Sequence, residues 1–145
     1  MTDVPSSHSP DPSIRIELGR GRISDWEWEL IYCPNVRHGP VVLFGSTESH
    51  VGQNLSDHLD GPFGKVGLGV DPDYAQSSLW AYGEIQAGFD KVLIECDDGI
   101  TIEAHIVDCE QRFGFNFYVA VTPGEPVKVT ASSFGGDNAE RSWFG

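Results

Sequence analysis

Apolar and polar residues alternate along much of this chain, and alternation with a period of two residues predicts β-strands. One predicted strand ends at Pro34 and Asn35 and places four large residues on one face: Trp26, Trp28, Leu30 and Tyr32. The most apolar face belongs to a later strand and contains Phe113, Phe115, Phe117, Val119 and Val121. A short first strand is predicted at 13–18, and the segment 19–22 ends it. Further strands are predicted at 41–44, 91–96, 100–107, 127–131 and 139–144. Turn residues at this spacing, with little helical periodicity, predict a β-sandwich.

The register of one hairpin, between Lys91 and Val107, can be argued from its turn at residues 97–99. A two-residue turn would mix polar and apolar side chains on each face of the hairpin. A three-residue loop, with Gly99 in the left-handed conformation of a G1 bulge, sorts the faces, so we predict this register. Its apolar face pairs Cys96 with Ile100, Ile94 with Ile102 and Val92 with Ala104. Its other face pairs Glu95 with Thr101, Leu93 with Glu103 and Lys91 with His105. Cys96 and Cys109 would then lie on the order of 20 Å apart, too far for a disulfide, whereas a disulfide from Cys33 stays open.

The segment from Ser46 to Asp73 is the least regular part of the sequence. Val51, Leu55 and Leu59 recur at every fourth residue, which predicts at most one short helix, near residues 47–59. The glycines at positions 64, 67 and 69 favour a loop or an irregular sheet edge. The whole pattern predicts an all-β fold, with a flexible N-terminal tail at 1–13 and a single β-sandwich domain at 14–145.

A series of strand and turn motifs runs through most of the chain from Trp28 onward. In order they are Trp28-Glu29-Leu30, the segment from Ala81 to Gly88, Lys91-Val92 leading into Asp98-Gly99, the segment from Phe115 to Val121, Pro123-Gly124 and Val129-Thr130-Ala131. In these motifs the chain resembles a family of small, uncharacterised actinobacterial β-sandwich domains. The resemblance implies an immunoglobulin-like sandwich and implies no catalytic residues. The chain departs from the family at 132–138, where Ser-Ser-Phe-Gly-Gly-Asp-Asn replaces a tyrosine-aspartate turn.

The net charge of the chain limits the classes of molecule that we expect the protein to bind. Twenty-two acidic residues against nine basic ones give a net charge of −13, which opposes binding to nucleic acid or to anionic lipid. No apolar run approaches the roughly 20 residues of a membrane span, and the N-terminus lacks the basic and apolar regions of a signal peptide. The three cysteines, an odd number, fit thiols that stay reduced. We therefore expect a cytoplasmic protein without a nucleic-acid or membrane partner.

Residues that could bind metal are present, but their spacing matches no known module. Zinc ligands could come from Cys33, His38, His50 and His58, and calcium ligands from Asp57, Asp60, Asp71 and Asp73. The sequence also lacks a Gly-x-Ser-x-Gly nucleophile elbow and a phosphate-binding glycine loop. We therefore predict no catalytic residue, no metal site and no cofactor.

Three aromatic residues near predicted loops or sheet edges are the candidate binding surface: Trp80, Tyr82 and Trp143. Exposed aromatic rings supply hot spots of protein interfaces and also stack on sugar rings. The first hypothesis is accordingly a non-enzymatic protein–protein interaction module with a protein partner. The alternative is a carbohydrate- or calcium-binding β-sandwich module.

Overall fold

The computed structural model describes residues 11, 13–23, 26–46, 50–69 and 79–143, and nearly all of its regular structure is β. The described residues form three antiparallel sheets of four strands each. The first sheet has its strands in chain order: β1 (Ile16–Ile23), β2 (Trp26–Cys33), β3 (Val41–Gly45) and β4 (His50–Asn54). The prediction of an all-β fold is confirmed.

The other two sheets interleave along the chain. The central sheet has the order β5-β6-β10-β9 and contains β5 (Phe63–Gly69), β6 (Leu79–Gln86), β9 (His105–Val107) and β10 (Phe115–Thr122). The third sheet has the order β12-β11-β7-β8 and contains β7 (Lys91–Cys96), β8 (Thr101–Glu103), β11 (Pro126–Ser132) and β12 (Asn138–Ser142). One helical turn, α1 (Glu110–Phe113), lies between β9 and β10.

The central sheet is covered on both faces, so the fold has three layers. On one face, alternate residues of β10 pack with the first sheet in a core that includes Phe117, Val119, Leu30 and Phe44. On the other face, Tyr118 and Ala120 pack with residues of the third sheet in a second core. Six consecutive residues of β10 are therefore buried, as expected of a strand covered on both sides. A third sheet distinguishes this fold from a sandwich of two sheets.

The predicted hairpin register is confirmed up to residue 104. Leu93 lies opposite Glu103 and Ile94 opposite Ile102, and Gly99 has a φ of +85°. Beyond this point, the prediction that Lys91 pairs with His105 is wrong. The chain leaves the third sheet after Ala104 and continues as β9 of the central sheet, where His105 lies opposite Val119.

Two glycine-rich segments lie within strands. The prediction that residues 19–22 end a strand is wrong, whereas for the glycines at 64, 67 and 69, predicted to mark a loop or an irregular sheet edge, the sheet edge is confirmed. Residues 19–22 belong to β1, and the glycines at 64, 67 and 69 belong to β5, an edge strand whose register shifts between Phe63 and Val66. The reason is that large side chains of the neighbouring strand occupy the space beside these glycines. A Cβ on Gly21 would lie 3.0 Å from the Trp28 ring, and one on Gly67 would lie 2.1 Å from the Tyr82 ring.

The predicted short helix near residues 47–59 is wrong for the described residues 50–59. His50–Asn54 is strand β4, which pairs antiparallel with β3 and places Val51 opposite Phe44. Leu55 and Leu59 reach the first core from a loop, so the fourfold repeat reflects packing and not helical periodicity. Residues 47–49 lie outside the described residues, and so does the predicted tail at 1–13 except Asp11 and Ser13.

Candidate functional site

The three aromatic residues predicted to form a surface are buried. Trp80 and Tyr82 are each 1% exposed and lie in the first core, whereas Trp143 is 0% exposed and lies in the second core. Trp80 and Tyr82 are buried because β6 is an inner strand of the central sheet, and Trp143 is held inward by a hydrogen bond from its backbone N to the carbonyl of Val127, 2.9 Å away. The prediction that these side chains belong to an exposed binding surface is wrong.

The candidate metal ligands do not come together in the described part of the chain, which has no group of three or more His, Cys, Asp or Glu side chains placed to hold an ion. His50 lies 2.8 Å from a carboxylate oxygen of Glu29, and His58 lies 3.0 Å from one of Asp60. Asp71 and Asp73, two of the predicted calcium ligands, lie outside the described residues. The three cysteines, Cys33 included, are buried free thiols.

Cys109 borders a polar cleft of about 430 Å³ beside α1, together with Glu17 and Arg112. Burial, together with the nearby carboxylate of Asp108, raises the pKa of this thiol from 9.0 to about 11. A thiol that stays protonated at neutral pH is a poor nucleophile, because the thiolate is the reactive form. The surroundings of Cys109 therefore disfavour its thiolate form.

The most exposed large apolar side chain in the described part of the chain is Phe134, at the turn between β11 and β12. We call Ser133–Asp137 the tip loop. Phe134 is 100% exposed, while hydrogen bonds hold the loop itself. Ser133 N donates to the Asp137 carbonyl (3.0 Å) and Gly136 N to the Ser133 carbonyl (3.1 Å), and the Ser133 hydroxyl accepts from Asp137 N (3.2 Å). Gly136 has a φ of +89°, close to that of Gly99, so both hairpins use the same three-residue loop with a left-handed glycine.

A cleft of about 440 Å³ opens where the edge of the central sheet meets the edge of the third sheet. We call it the Arg141 cleft. It lies between the loop that follows β4 and the end of β12. Its lining combines apolar residues, charged residues of both signs and small polar or glycine residues: Ser56, His58, Leu59, Asp60, Gly61, Phe63, Gly64, Lys65, Val66, Arg141 and Trp143.

The buried side chain of Glu84 holds together two segments that line the Arg141 cleft. Its carboxylate is 2% exposed and accepts three hydrogen bonds, from Ser56 N (3.0 Å), the Ser56 hydroxyl (2.6 Å) and Lys65 N (2.8 Å). A Cβ on Gly64 would lie 2.4 Å from the same carboxylate, so glycine is required there. Glu84 thereby ties the loop after β4 to strand β5.

Arg141 reaches from the third sheet to the central sheet. Arg141 lies on the inner face of the edge strand β12, where it pairs with the buried Val129 of β11. Nη2 donates to the Gly64 carbonyl (2.8 Å), and the guanidinium carbon lies 5.5 Å from the centroid of the Phe63 ring. Its Nε and the indole Nε1 of Trp143 are buried, with no hydrogen-bond partner among the described residues.

Sequence reasoning missed Phe134, Glu84 and Arg141. Phe134 had a signal, since an aromatic residue followed by Gly135 and Gly136 interrupts the alternation and marks a loop tip. Glu84 had one too, since it shares a face with Trp80 and Tyr82 in an alternating strand. Nothing in the sequence places Arg141 beside Gly64, 77 residues earlier in the chain.

Comparison with known proteins finds no match to this chain among family models, curated proteins or solved structures. No helix among the described residues is long and apolar enough to cross a membrane.

Proposed function

We propose that this protein is a non-enzymatic protein–protein interaction module that docks through the tip loop, with Phe134 as the anchor. The full exposure of the Phe134 ring is the observation that carries the proposal. Moving a phenylalanine side chain from water into an apolar pocket contributes about 1.5–3 kcal/mol. A few large side chains of this kind supply most of the binding energy of typical interfaces.

The tip loop is preorganised for such a contact. Three hydrogen bonds close it around Ser133 and Asp137, and Asn138 adds a fourth, from its side-chain nitrogen to the Gly136 carbonyl (3.2 Å). A partner therefore gains the aromatic contact without the cost of ordering a loop, which lowers the entropic penalty of binding.

Charge defines the chemistry of the partner. Exposed acidic residues surround the tip: Asp137 within the loop, Glu140 on β12 and Asp90, whose backbone N donates to the Ser132 carbonyl (3.1 Å). Together with the net charge of −13, they favour an apolar pocket rimmed by lysine or arginine on a protein partner. We infer a cytoplasmic partner, because the three cysteines are free thiols.

The test compares Phe134→Ala with Val127→Ala, a change at another exposed apolar residue in the same hairpin. A partner is captured from an extract of the native host on immobilised wild-type protein, and its affinity for each purified variant is then measured by calorimetry. We expect Phe134→Ala to weaken binding by at least about 30-fold, which corresponds to about 2 kcal/mol, and to leave the melting temperature unchanged. Val127→Ala should bind as wild type does. Equal affinity of the wild type and Phe134→Ala would refute docking through the tip loop.

The carbohydrate-binding alternative has lost its support. It required exposed, coplanar rings, whereas Trp80, Tyr82 and Trp143 are buried in two cores on opposite faces of the central sheet.

We also infer that the chain is related to the family of small actinobacterial β-sandwich domains that its motifs resemble. What supports it is that the matching segments coincide with strands and turns, such as Trp28 and Leu30 in β2 and 115–121 in β10. The presence of three layers, where an immunoglobulin-like sandwich has two, is the main difference.

A further inference from the structure

The Arg141 cleft lies at the opposite end of β12 from the tip loop. Arg141 follows Phe134 by seven residues, which in a strand is on the order of 20 Å. A cleft of about 440 Å³ falls in the range that accommodates small organic molecules. The apolar part of its wall is formed by Leu59, Phe63 and Val66.

Arg141 has no carboxylate partner in the part of the chain that the structure describes, although the chain has 22 acidic residues and only nine basic ones. None of the ion pairs among the described residues involves it. Among the described residues, its one hydrogen bond goes to the neutral Gly64 carbonyl and its buried Nε has no acceptor, while the guanidinium carbon lies over the Phe63 ring. A guanidinium with donors to spare matches the planar, two-oxygen geometry of a carboxylate.

The other charges around the cleft favour a single small anion. Lys65 adds a second cation to the lining, and His58 and Asp60 contact each other at the exposed rim, 3.0 Å apart. Glu84 lies behind the wall, where its oxygens accept the hydrogen bonds from Ser56 and Lys65 N. The net charge of −13 repels polyanions. Salt screens the net charge beyond about 8 Å at physiological ionic strength. The nearby cations Arg141 and Lys65 therefore determine the electrostatic potential that one carboxylate meets at Arg141.

We propose that the Arg141 cleft binds a small organic carboxylate with an apolar body. The Arg141 guanidinium binds the carboxylate, Lys65 adds attraction from the rim, and the apolar body packs on Leu59 and Phe63. A carboxylate that draws the Arg141 side chain towards the cleft also supplies the acceptor that its Nε lacks. This site is independent of the docking function proposed for the tip loop.

Nuclear magnetic resonance titration with phenylacetate tests the proposal. We expect saturable shifts at the Gly64 and Lys65 amides, the Arg141 Nε–H and the Trp143 indole N–H at millimolar ligand. Phenylacetamide has the same ring without the charge and should bind at least about tenfold more weakly, because a charge-assisted hydrogen bond is lost. Acetate, which has the charge without the ring, should also bind more weakly than phenylacetate. Equal shifts with phenylacetamide, or no saturable shift with phenylacetate, would overturn the proposal.

Variants separate a binding role of Arg141 from a purely structural one, in which it only joins the two sheets. Arg141→Gln should weaken phenylacetate binding at least about tenfold. Lys65→Gln, at an exposed position that does not join sheets, should weaken it about twofold to threefold without affecting folding. Lys128→Gln removes a lysine that pairs with Glu95 on the outer face of the third sheet and should leave binding unchanged. Phe134→Ala should also bind phenylacetate normally, which separates this site from the tip loop. Unchanged binding by both Arg141→Gln and Lys65→Gln would contradict the assignment.

Discussion

Glu84 shows how one residue can determine a local structure. It is the only carboxylate in the described part of the chain that is fully buried, and donors from two segments satisfy it. Glutamine has the same shape but only one acceptor oxygen, and in either orientation its NH2 group would face a backbone N–H donor, that of Ser56 or that of Lys65. We expect Glu84→Gln to lower the free energy of unfolding by about 2–3 kcal/mol, measured by urea denaturation.

A second glutamate provides the control for this prediction. Glu103 on β8 is exposed and forms no ion pair among the described residues, so Glu103→Gln should change the free energy of unfolding by less than about 0.5 kcal/mol. If the two variants are equally stable, the buried hydrogen bonds of Glu84 do not hold the loop after β4 in place.

At the scale of the strand, glycines recur opposite aromatic residues. Gly21 lies opposite Trp28, Gly67 opposite Tyr82, and Gly83 opposite Tyr118 in the paired strands. In each pair, a Cβ on the glycine would lie within about 3 Å of the aromatic side chain. A large ring that covers the backbone of its neighbour compensates for the poor strand propensity of glycine.

Gly67→Ala tests this arrangement, with Gly61→Ala as the matched control. A Cβ at Gly67 would overlap the buried Tyr82 ring, whereas a Cβ at Gly61 meets no atom within 4 Å. We expect Gly67→Ala to destabilise the protein by about 1–3 kcal/mol through overpacking. Gly61→Ala should be neutral or should stabilise by up to about 1 kcal/mol, because it restricts the unfolded chain. Equal effects on the urea midpoint would show that Tyr82 does not require the glycine.

These glycine–aromatic pairs also explain how much of the fold could be predicted from the sequence. Alternation identified β2, β3, β7, β10 and the hairpin register, because in these strands the pattern follows burial directly. It failed at the end of β1 and left β5 open between a loop and an irregular sheet edge, since a glycine is read as a break unless the ring that covers it is known, and that ring lies on another strand. It also misplaced Trp80 and Tyr82, because nothing local indicates that β6 lies inside a sheet covered on both faces.

The three-layer arrangement gives the whole molecule two cores, and each contains an acidic group that burial keeps neutral. Tyr82 and Cys109 lie in the first core and Tyr118 in the second. Burial raises the pKa of all three, and the charge of Glu84 raises the pKa of both tyrosines further, while Arg141 partly offsets the rise at Tyr118. Both tyrosine hydroxyls also lack a hydrogen-bond partner among the described residues.

These shifts predict that stability is lost at alkaline pH. A group whose pKa is higher in the folded state stays protonated there, while the same group in the unfolded chain loses its proton, so unfolding releases protons. The contribution of Cys109 is complete below pH 9.0 and is lost towards pH 11, and that of the tyrosines is lost above pH 10.0. We expect the urea midpoint to fall over this range. The tyrosinate absorbance of Tyr82 and Tyr118, taken as the difference from a variant with phenylalanine at both positions, should appear together with unfolding and not before it.

Replacement of both tyrosines attributes the alkaline loss to the cores. The double variant Tyr82→Phe, Tyr118→Phe removes two buried hydroxyls that have no hydrogen-bond partner among the described residues, so at pH 7 it should be as stable as the wild type or more stable by about 1 kcal/mol. Above pH 10.0 its urea midpoint should fall less steeply than that of the wild type, because it has two fewer groups to ionise on unfolding. Cys109→Ala should instead reduce the loss that begins near pH 9.0. If the double variant and the wild type lose stability at the same rate, the alkaline transition arises outside the two cores, and burial on both faces of the central sheet does not set the pH limit of the fold.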